Sequence, residues 1–251
     1  MMYINNPARE PLRIYGGYTV REIAAAQIKD CVKELILEAS YVIGRDVEET
    51  MMQFKEEEPS PSGRAVLDQL LENYRIAREE RVAICQDTGM CVVFLDIGQQ
   101  VHITGGDLTE AVNSAVREAY NEGYLRKSVV RDPLYDRVNT RDNTPAILHT
   151  RIVPGDKLDI LVTPKGFGSE NMSRIKMLVP ADGEQGVVDF IVNTVVEAGP
   201  NPCPPVIVGV GIGGRTTALK VNIAASPTHI AGLPVAVNIC CHAARHAART
   251  M

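Results

Sequence analysis

The chain changes texture at Val82, and that change limits the architectures open to it. Before it, apolar residues recur at helical spacing, at Val20, Ile23, Ile28, Val32, Leu35, Ala39 and Val42. After it come short apolar runs cut by glycine and proline, of which Val92-Val93-Phe94-Leu95-Asp96-Ile97 and Val206-Ile207-Val208-Gly209-Val210 are the clearest. Runs so short and so apolar read as buried strands. Helices first and a strand-rich remainder second predict a mixed α/β fold, an N-terminal helical layer followed by a mixed sheet with interleaved helices. The division falls into a helical region, 1–80, and an α/β region, 81–251, read together as one continuous unit.

Local signals fill in that outline. Thr19 followed by Glu22 has the form of a capping box and predicts that the first helix begins there, with Gly44 closing it. A second, acidic helix is expected over Val47 to Glu57, broken by Pro59-Ser60-Pro61-Ser62-Gly63, and a third over Ala65 to Arg78. Gly105-Gly106-Asp107 caps a helix from Leu108 to Asn121, and Val187 to Ala198 is a helix stopped by Gly199. Ala146 to Val153, a Pro154-Gly155-Asp156 turn and Leu158 to Thr163 predict a hairpin. Ala218 to Ala224 and Leu233 to Ile239 complete the sheet, and His242 to Arg249 is predicted as a closing helix.

The bulk numbers exclude some classes. With 251 residues, 45% of them hydrophobic, the chain can bury a core as one large domain or two small ones. A net charge of −5 implies no basic face, which argues against nucleic acid and anionic membrane as partners. No run reaches transmembrane length, and Met1 to Tyr18 holds Pro7, Pro11 and charges rather than an apolar signal core, so the cytoplasm is the expected compartment. Six unevenly spaced cysteines are not a disulfide framework. Reduced thiols, some of them metal ligands, fit better.

Three of those cysteines stand alone in polar or proline-rich contexts: Cys85 in Ile84-Cys85-Gln86-Asp87-Thr88-Gly89, Cys203 in Asn201-Pro202-Cys203-Pro204-Pro205, and Cys241 in Asn238-Ile239-Cys240-Cys241-His242. None fits a zinc spacing. Three such thiolates brought together can hold a cubane iron–sulfur cluster on three corners, which leaves the fourth iron open as a Lewis acid. That feature makes the chain a candidate hydro-lyase. Cys31 sits on the apolar face of the first helix and reads as a core residue.

Other motifs are less specific. Gln86 and Asp87 put an amide and a carboxylate beside the Cys85 sulfur, just before a strand; the stretch reads equally as a polar turn. Lys165-Gly166-Phe167-Gly168-Ser169-Glu170-Asn171 has two glycines that permit an anion nest or, more commonly, a tight turn. Gly209-Val210-Gly211-Ile212-Gly213-Gly214 follows a strand but lacks dinucleotide spacing. Arg126, after Gly123-Tyr124-Leu125, is either surface or a bidentate carboxylate clamp. Asp142-Asn143-Thr144-Pro145 is a turn whose polar groups could support a site from behind. His229 alone reads as structural. His242 and His246, one helical turn apart, lack a third ligand.

Taken in order, these segments resemble the iron–sulfur-dependent class I fumarase and L-tartrate dehydratase family, in its alpha subunit or N-terminal catalytic half. The resemblance rests on Ile84 to Gly89, Leu125-Arg126-Lys127-Ser128, Asp142 to Ala146, Pro164 to Ser173, Pro180-Ala181-Asp182-Gly183, Cys203 to Gly214 and Pro227 to Arg245, and it runs from about Val20 onward. It implies that Cys85, Cys203 and Cys241 hold a [4Fe-4S] cluster, with Cys240 the neighbour of a ligand and Cys91 structural. It implies that Gln86, Asp87, Arg126, Gly168 and His229 line a dicarboxylate site. The chain departs from the family at Arg141, where a glycine is usual. It departs again at Gly213-Gly214-Arg215-Thr216-Thr217, where two glycine blocks that the family separates are fused. An internal deletion between them is the expectation.

The resemblance implies a hydro-lyase that hydrates fumarate to malate reversibly, with L-tartrate dehydration as the alternative. A further alternative is a cluster-binding subunit made catalytically defective by the deletion. Asp87 and His229 are the expected catalytic residues, with Gln86, Arg126, Gly168 and His229 on the substrate. A beta subunit is expected to complete the site in a hetero-oligomer. A zinc or redox-active thiol protein, supported only by Cys240-Cys241, is the competing reading from a different class.

Overall fold

A core of Ile28, Val32, Leu35, Ile36 and Ala39 from one helix meets Val112, Ala115, Val116, Ala119 and Tyr120 from another, over a sheet floored by Val93, Leu95, Leu158, Ile160 and Val162. These side chains are nearly all fully buried, and each valine, leucine or isoleucine among them contributes about 1.5–3 kcal/mol to folding. The structure is a computed structural model describing residues 13–15, 18–213, 233–241 and 246–251. The chain divides into two compact units, Met1–Pro164 with Arg245–Met251, and Lys165–Ala244.

In the first unit, β1 (Arg13–Tyr15) and β2 (Tyr18–Ala24) precede three helices: α1 (Ala25–Tyr41), α2 (Arg45–Glu57) and α3 (Pro61–Glu80). Then come β3 (Met90–Gly98), β4 (Val101–Thr104), α4 (Leu108–Glu122), β5 (Ile147–Val153) and β6 (Leu158–Lys165), the last reaching the boundary of the second unit. β10 (Ala247–Thr250) returns to this unit after the second has been traversed. Two sheets form, ordered β1-β2-β4 and β10-β6-β3-β5. Both mix parallel and antiparallel pairing: β3 is parallel to β5 and β10 antiparallel to β6. α1 and α4 pack together, tied outside their apolar contact by Lys29 to Glu118 and Lys33 to Glu122.

The predicted helices α2, α3 and α4 are present. Asp107 caps α4 by accepting from the Glu110 N–H at 2.8 Å, and Ser60 caps α3, with Pro61 at its first turn. Three expectations give way. Thr19 and Glu22 lie in β2, not at a helix start, because Arg21 to Ala24 pair in parallel with Val101 to Thr104. The first helix starts at Ala25, where the Gln27 side chain accepts from the Ala24 N–H at 3.0 Å.

The predicted hairpin of β5 and β6 is not a pair: β3 lies between them. The Gly98 N–H reaches the Lys157 carbonyl and the Gln99 N–H the Val153 carbonyl, both at 2.8 Å, so the end of β3 occupies the place a hairpin partner would take. Residues 247–250 are a strand rather than part of a closing helix. Ala247 is buried, and Leu158 and Met251 exchange backbone hydrogen bonds at 3.1 and 2.7 Å. That docking on β6 overrides alanine's helical preference. Residues 242–245 of the expected helix, and the expected strand Ala218 to Ala224, lie outside the described residues.

The second unit contains α5 (Phe167–Glu170), β7 (Arg174–Leu178), α6 (Gly183–Ala198), β8 (Val206–Ile212) and β9 (Leu233–Cys241). Its sheet is antiparallel throughout, ordered β7-β9-β8. Leu178, Val235, Val237 and Ile239 pack with Val187 and Ala198 of α6. Gly209 and Gly211 lie inside β8, paired with Asn238 and Ala236, and so are strand residues rather than a phosphate-binding turn. No helix among the described residues is long and apolar enough to cross a membrane.

Candidate functional site

Two loops of the first unit are bound into one assembly. The segment Ile84–Gly89 runs from α3 into β3, and the segment that starts at Arg126 leaves the end of α4. Ile84 is held on both sides, its N–H donating to the Ser40 carbonyl at 3.0 Å and its carbonyl accepting from Asn73 Nδ2 at 2.9 Å. Thr88 is buried and its Oγ1 donates to the Arg126 carbonyl at 2.9 Å. The hydroxyl of Tyr120, fully buried on α4, donates to the Thr88 carbonyl at 2.8 Å.

Asn143 is the hub. It is fully buried, and its φ of 63° lies in the left-handed region that asparagine tolerates better than most residues. Its Nδ2 donates to the Gly89 carbonyl at 2.9 Å, and its Oδ1 accepts from the N–H groups of Ser128 at 2.7 Å and Val129 at 3.2 Å. One side chain thus joins the loop after Cys85 to the loop after Arg126. Beside it, burial pushes the Asp142 carboxyl up, but the Thr144 N–H and hydroxyl, Thr140 and Arg117 outweigh burial and hold it below its ordinary value.

Cys85 and Asp87 are half-buried, whereas Gln86 and Arg126 are exposed. The Cys85 Sγ lies 3.3 Å from Gln86 Oε1 and accepts from the Asp87 N–H at 3.5 Å. That places thiol, amide and carboxylate within three residues on a loop whose far end is fixed by Thr88. The loop holds Arg126 by its backbone carbonyl and leaves the residue exposed; an exposed guanidinium can clamp a carboxylate, and an accessible sulfur that takes an N–H can serve as a ligand.

In the second unit, Gly168 is exposed on α5, which is a single helical turn: the Glu170 N–H donates to the Gly166 carbonyl at 3.2 Å. Lys165 fastens that turn to β9. Its Nζ donates to Ser169 Oγ at 2.9 Å and the Ile239 carbonyl at 3.5 Å, and pairs with Glu170 at 3.2 Å. Cys203 is exposed, with a φ of 58°, three residues before β8. Cys241 is the last residue of β9, and its backbone pairs with Val206, the first residue of β8. The strand register therefore brings the chain positions of Cys203 and Cys241 to the same end of this sheet. His229 lies outside the described residues.

The other cysteines differ in kind. Burial pushes the Cys91 thiol up to about 12 and the Cys31 thiol up to about 11, which keeps both protonated. A cluster ligand must be a thiolate within reach of iron, which suits buried Cys31 and Cys91 poorly; Cys85 and Cys203, each in its own unit, are accessible. Among the described residues, which leave out the Cys241 side chain, no group of three or more histidine, cysteine and carboxylate side chains is gathered.

Sequence reasoning named Asn143 only as a possible supporting residue, quoted Lys165 in its glycine motif without a role, and gave none to Tyr120. Asn143 left a readable signal in its Asp-Asn-Thr-Pro turn. Tyr120 left none, because an apolar helix face hides a hydroxyl that reaches across it.

Comparison with known proteins gives these features a context. The family model described as fumarate hydratase (fumerase) matches residues 29–216 and 211–250, two pieces that both claim 211–216. The protein named "Putative L(+)-tartrate dehydratase subunit alpha" in Methanocaldococcus jannaschii is 38% identical over 202 residues, covering 77% of this chain and 70% of that protein. The L(+)-tartrate dehydratase subunit alpha of Escherichia coli strain K12 is 33% identical over 171 residues, 66% of this chain and 55% of that protein. The chain thus spans little more than half the length of the second relative. With nearly all of its length from residue 29 matched, the chain belongs to the fumarate hydratase (fumerase) family.

Proposed function

We propose that this chain is the alpha subunit of an iron–sulfur hydro-lyase that removes water from a hydroxylated dicarboxylate, with L(+)-tartrate as substrate. The observation that carries the substrate is that relatives at 38% and 33% identity are both named for tartrate dehydration. This favours the alternative over the fumarate hydration first expected. The chemistry is supported by the first unit, where Asn143 and Thr88 hold the Cys85-Gln86-Asp87 loop and the Arg126 segment as one body.

Cys85, Cys203 and Cys241 would hold a [4Fe-4S] cluster, which when bound supplies an open iron as a Lewis acid for the substrate hydroxyl. The chain's own residues do the rest. Arg126 binds a substrate carboxylate as a fork. Gln86 orients the substrate through its amide. Asp87 takes the proton from the carbon adjacent to the one that loses its hydroxyl, and His229 and the Gly168 turn contact the remaining carboxylate. A beta subunit completes the site.

The test is anaerobic reconstitution with iron and sulfide in the presence of the beta subunit, followed by assays on L(+)-tartrate and on fumarate. Tartrate turnover well above fumarate turnover is expected. The reverse preference would restore fumarate hydration. No turnover of either by a fully loaded complex would overturn the active enzyme and favour the catalytically defective subunit of the second reading.

A second reading has its own observation. The family model matches 211–216 twice, as expected if a segment between two similar glycine blocks were lost. On that reading the chain binds its cluster and its partner but does not turn over, and inserting the corresponding segment of a relative restores the rate.

A further inference from the structure

Between Val129 and Arg141 the first unit carries an arm that is rigid inside and apolar at its tip. Val130 and Asn139 form an antiparallel bridge, the Arg131 N–H donates to the Val138 carbonyl at 2.9 Å, and the Thr140 N–H to the Val129 carbonyl at 3.0 Å. The turn is closed by Asp132, whose Oδ1 accepts from the N–H groups of Leu134 at 2.7 Å and Tyr135 at 2.9 Å. Those two donors, Tyr135 first, hold the Asp132 carboxyl below its ordinary value. Arg137 adds a bond from Nη1 to the Pro133 carbonyl at 2.7 Å.

This ordered turn presents Leu134 and Tyr135 with 69% and 86% of their surface exposed. A folded chain gains nothing by fixing two large apolar side chains in water. Such residues on a preorganised turn are the usual anchors of a protein interface, because little conformational entropy is lost on docking. The arm carries Arg131, Arg137 and Arg141 against Asp132 and Asp136, a net charge of +1, with Asp132 turned onto the N–H groups of its own turn while remaining ionised. A basic rim on a chain of net charge −5 is a local departure that selects a carboxylate-rimmed partner.

The root of the arm is part of the candidate site. Asn143 holds Ser128 and Val129 at the first strand of the arm and Gly89 at the end of the Cys85 loop. Whatever seats on the arm is therefore continuous with the loops bearing Cys85, Asp87 and Arg126. We propose that Leu134 and Tyr135 are the anchor on which the beta subunit docks beside the site, through an apolar socket rimmed by carboxylates. This rests on the reading of the chain as an alpha subunit.

The experiment measures binding of the full chain to its cognate beta subunit by calorimetry, with size-exclusion light scattering of the chain alone. A Leu134→Ala/Tyr135→Ala variant is expected to weaken binding by roughly thirtyfold or more, the scale of an interface hot spot. Arg131→Glu is expected to slow association and to remove part of its salt dependence. Val66→Ser, at an exposed site on α3, is the control and should leave the dissociation constant unchanged. Because both tip residues are exposed, an unchanged denaturation midpoint shows that any loss is not unfolding.

Tight wild-type binding with the double variant unaffected overturns the arm alone. Loss of self-association in place of beta-subunit binding assigns the arm to a second copy of this chain and also overturns it. A wild-type chain that binds no beta subunit removes the alpha-subunit reading, and the arm's role with it.

Discussion

The Asn143 carboxamide donates to the Gly89 carbonyl at 2.9 Å, and both residues hold a positive φ, 63° and 56°. Two left-handed positions from distant parts of the chain are thereby locked face to face. Asn143→Ala leaves one buried carbonyl and two backbone N–H groups without this partner and adds a Cβ-only residue at an unfavourable φ. The expected loss is about 3 kcal/mol by urea denaturation. Asn143→Gly, which relieves the backbone, is expected to be less damaging by about 1 kcal/mol. Equal losses would show that backbone conformation contributes nothing there.

Cys31 and Cys91 make stability fall on the alkaline side. Their folded values, about 11 and about 12, lie above the ordinary 9.0, so the unfolded chain releases these protons first. Their contribution is intact below about pH 9 and is lost as pH rises toward the folded values, by up to about 1.4 kcal/mol per pH unit for each thiol. Denaturation midpoints from pH 8 to 10.5 should decline, and Cys91→Ala should flatten the decline while lowering the plateau.

Asp142 acts at the other end of the scale. Its folded value is held below the ordinary 3.8, so its stabilising effect is present above that value and disappears as pH falls through the folded one. Asp142→Asn should be less stable than the parent at pH 6, with the gap closing as the pH drops below about 3.8. A gap that stays constant down to pH 2 would mean the loss is one of packing or hydrogen bonding and not of charge.

Gly98 is required by close approach. A Cβ there would lie 2.8 Å from the Lys157 carbonyl oxygen and would also press on the Gly155 carbonyl. These are backbone atoms that cannot swing aside. Gly98→Ala should cost about 1–3 kcal/mol, read as a drop in melting temperature.

Asp87→Asn, in the reconstituted complex with beta subunit, should lower the rate by ~10²–10⁴-fold while leaving the cluster absorption and denaturation midpoint unchanged. Full activity would remove Asp87 from the proton transfer.

Several of these features could be read from residue order, and the failures have physical causes. Asp107 before Leu108 marked the true start of α4, because a cap is a local interaction. Thr19 and Glu22 carried the same kind of signal falsely: a residue pair three apart fits a strand as well as a helix start, and pairing with β4 decided the matter. Pro154-Gly155-Asp156 did reverse the chain, but the insertion of β3 between β5 and β6 is a long-range event that no turn sequence encodes. Cys85 differed from Cys91 in its polar neighbours, and the structure separates them in the same way, half-buried against fully buried. The linkage of Thr88 to Arg126 across 38 residues was invisible, since both atoms involved are common to many residue types.

The return of β10 to β6 has a consequence for the order of events on the ribosome. Ala247 pairs with Val162, yet everything between them, including the whole of the second unit, must be synthesised before that pair can form. While residues 165–244 emerge, the first unit exposes the edge of β6 and lacks the Arg249 partner of Glu34. A nascent chain stalled within the second unit should therefore be protease-sensitive along β6, and the cell must shield that open edge until β10 arrives.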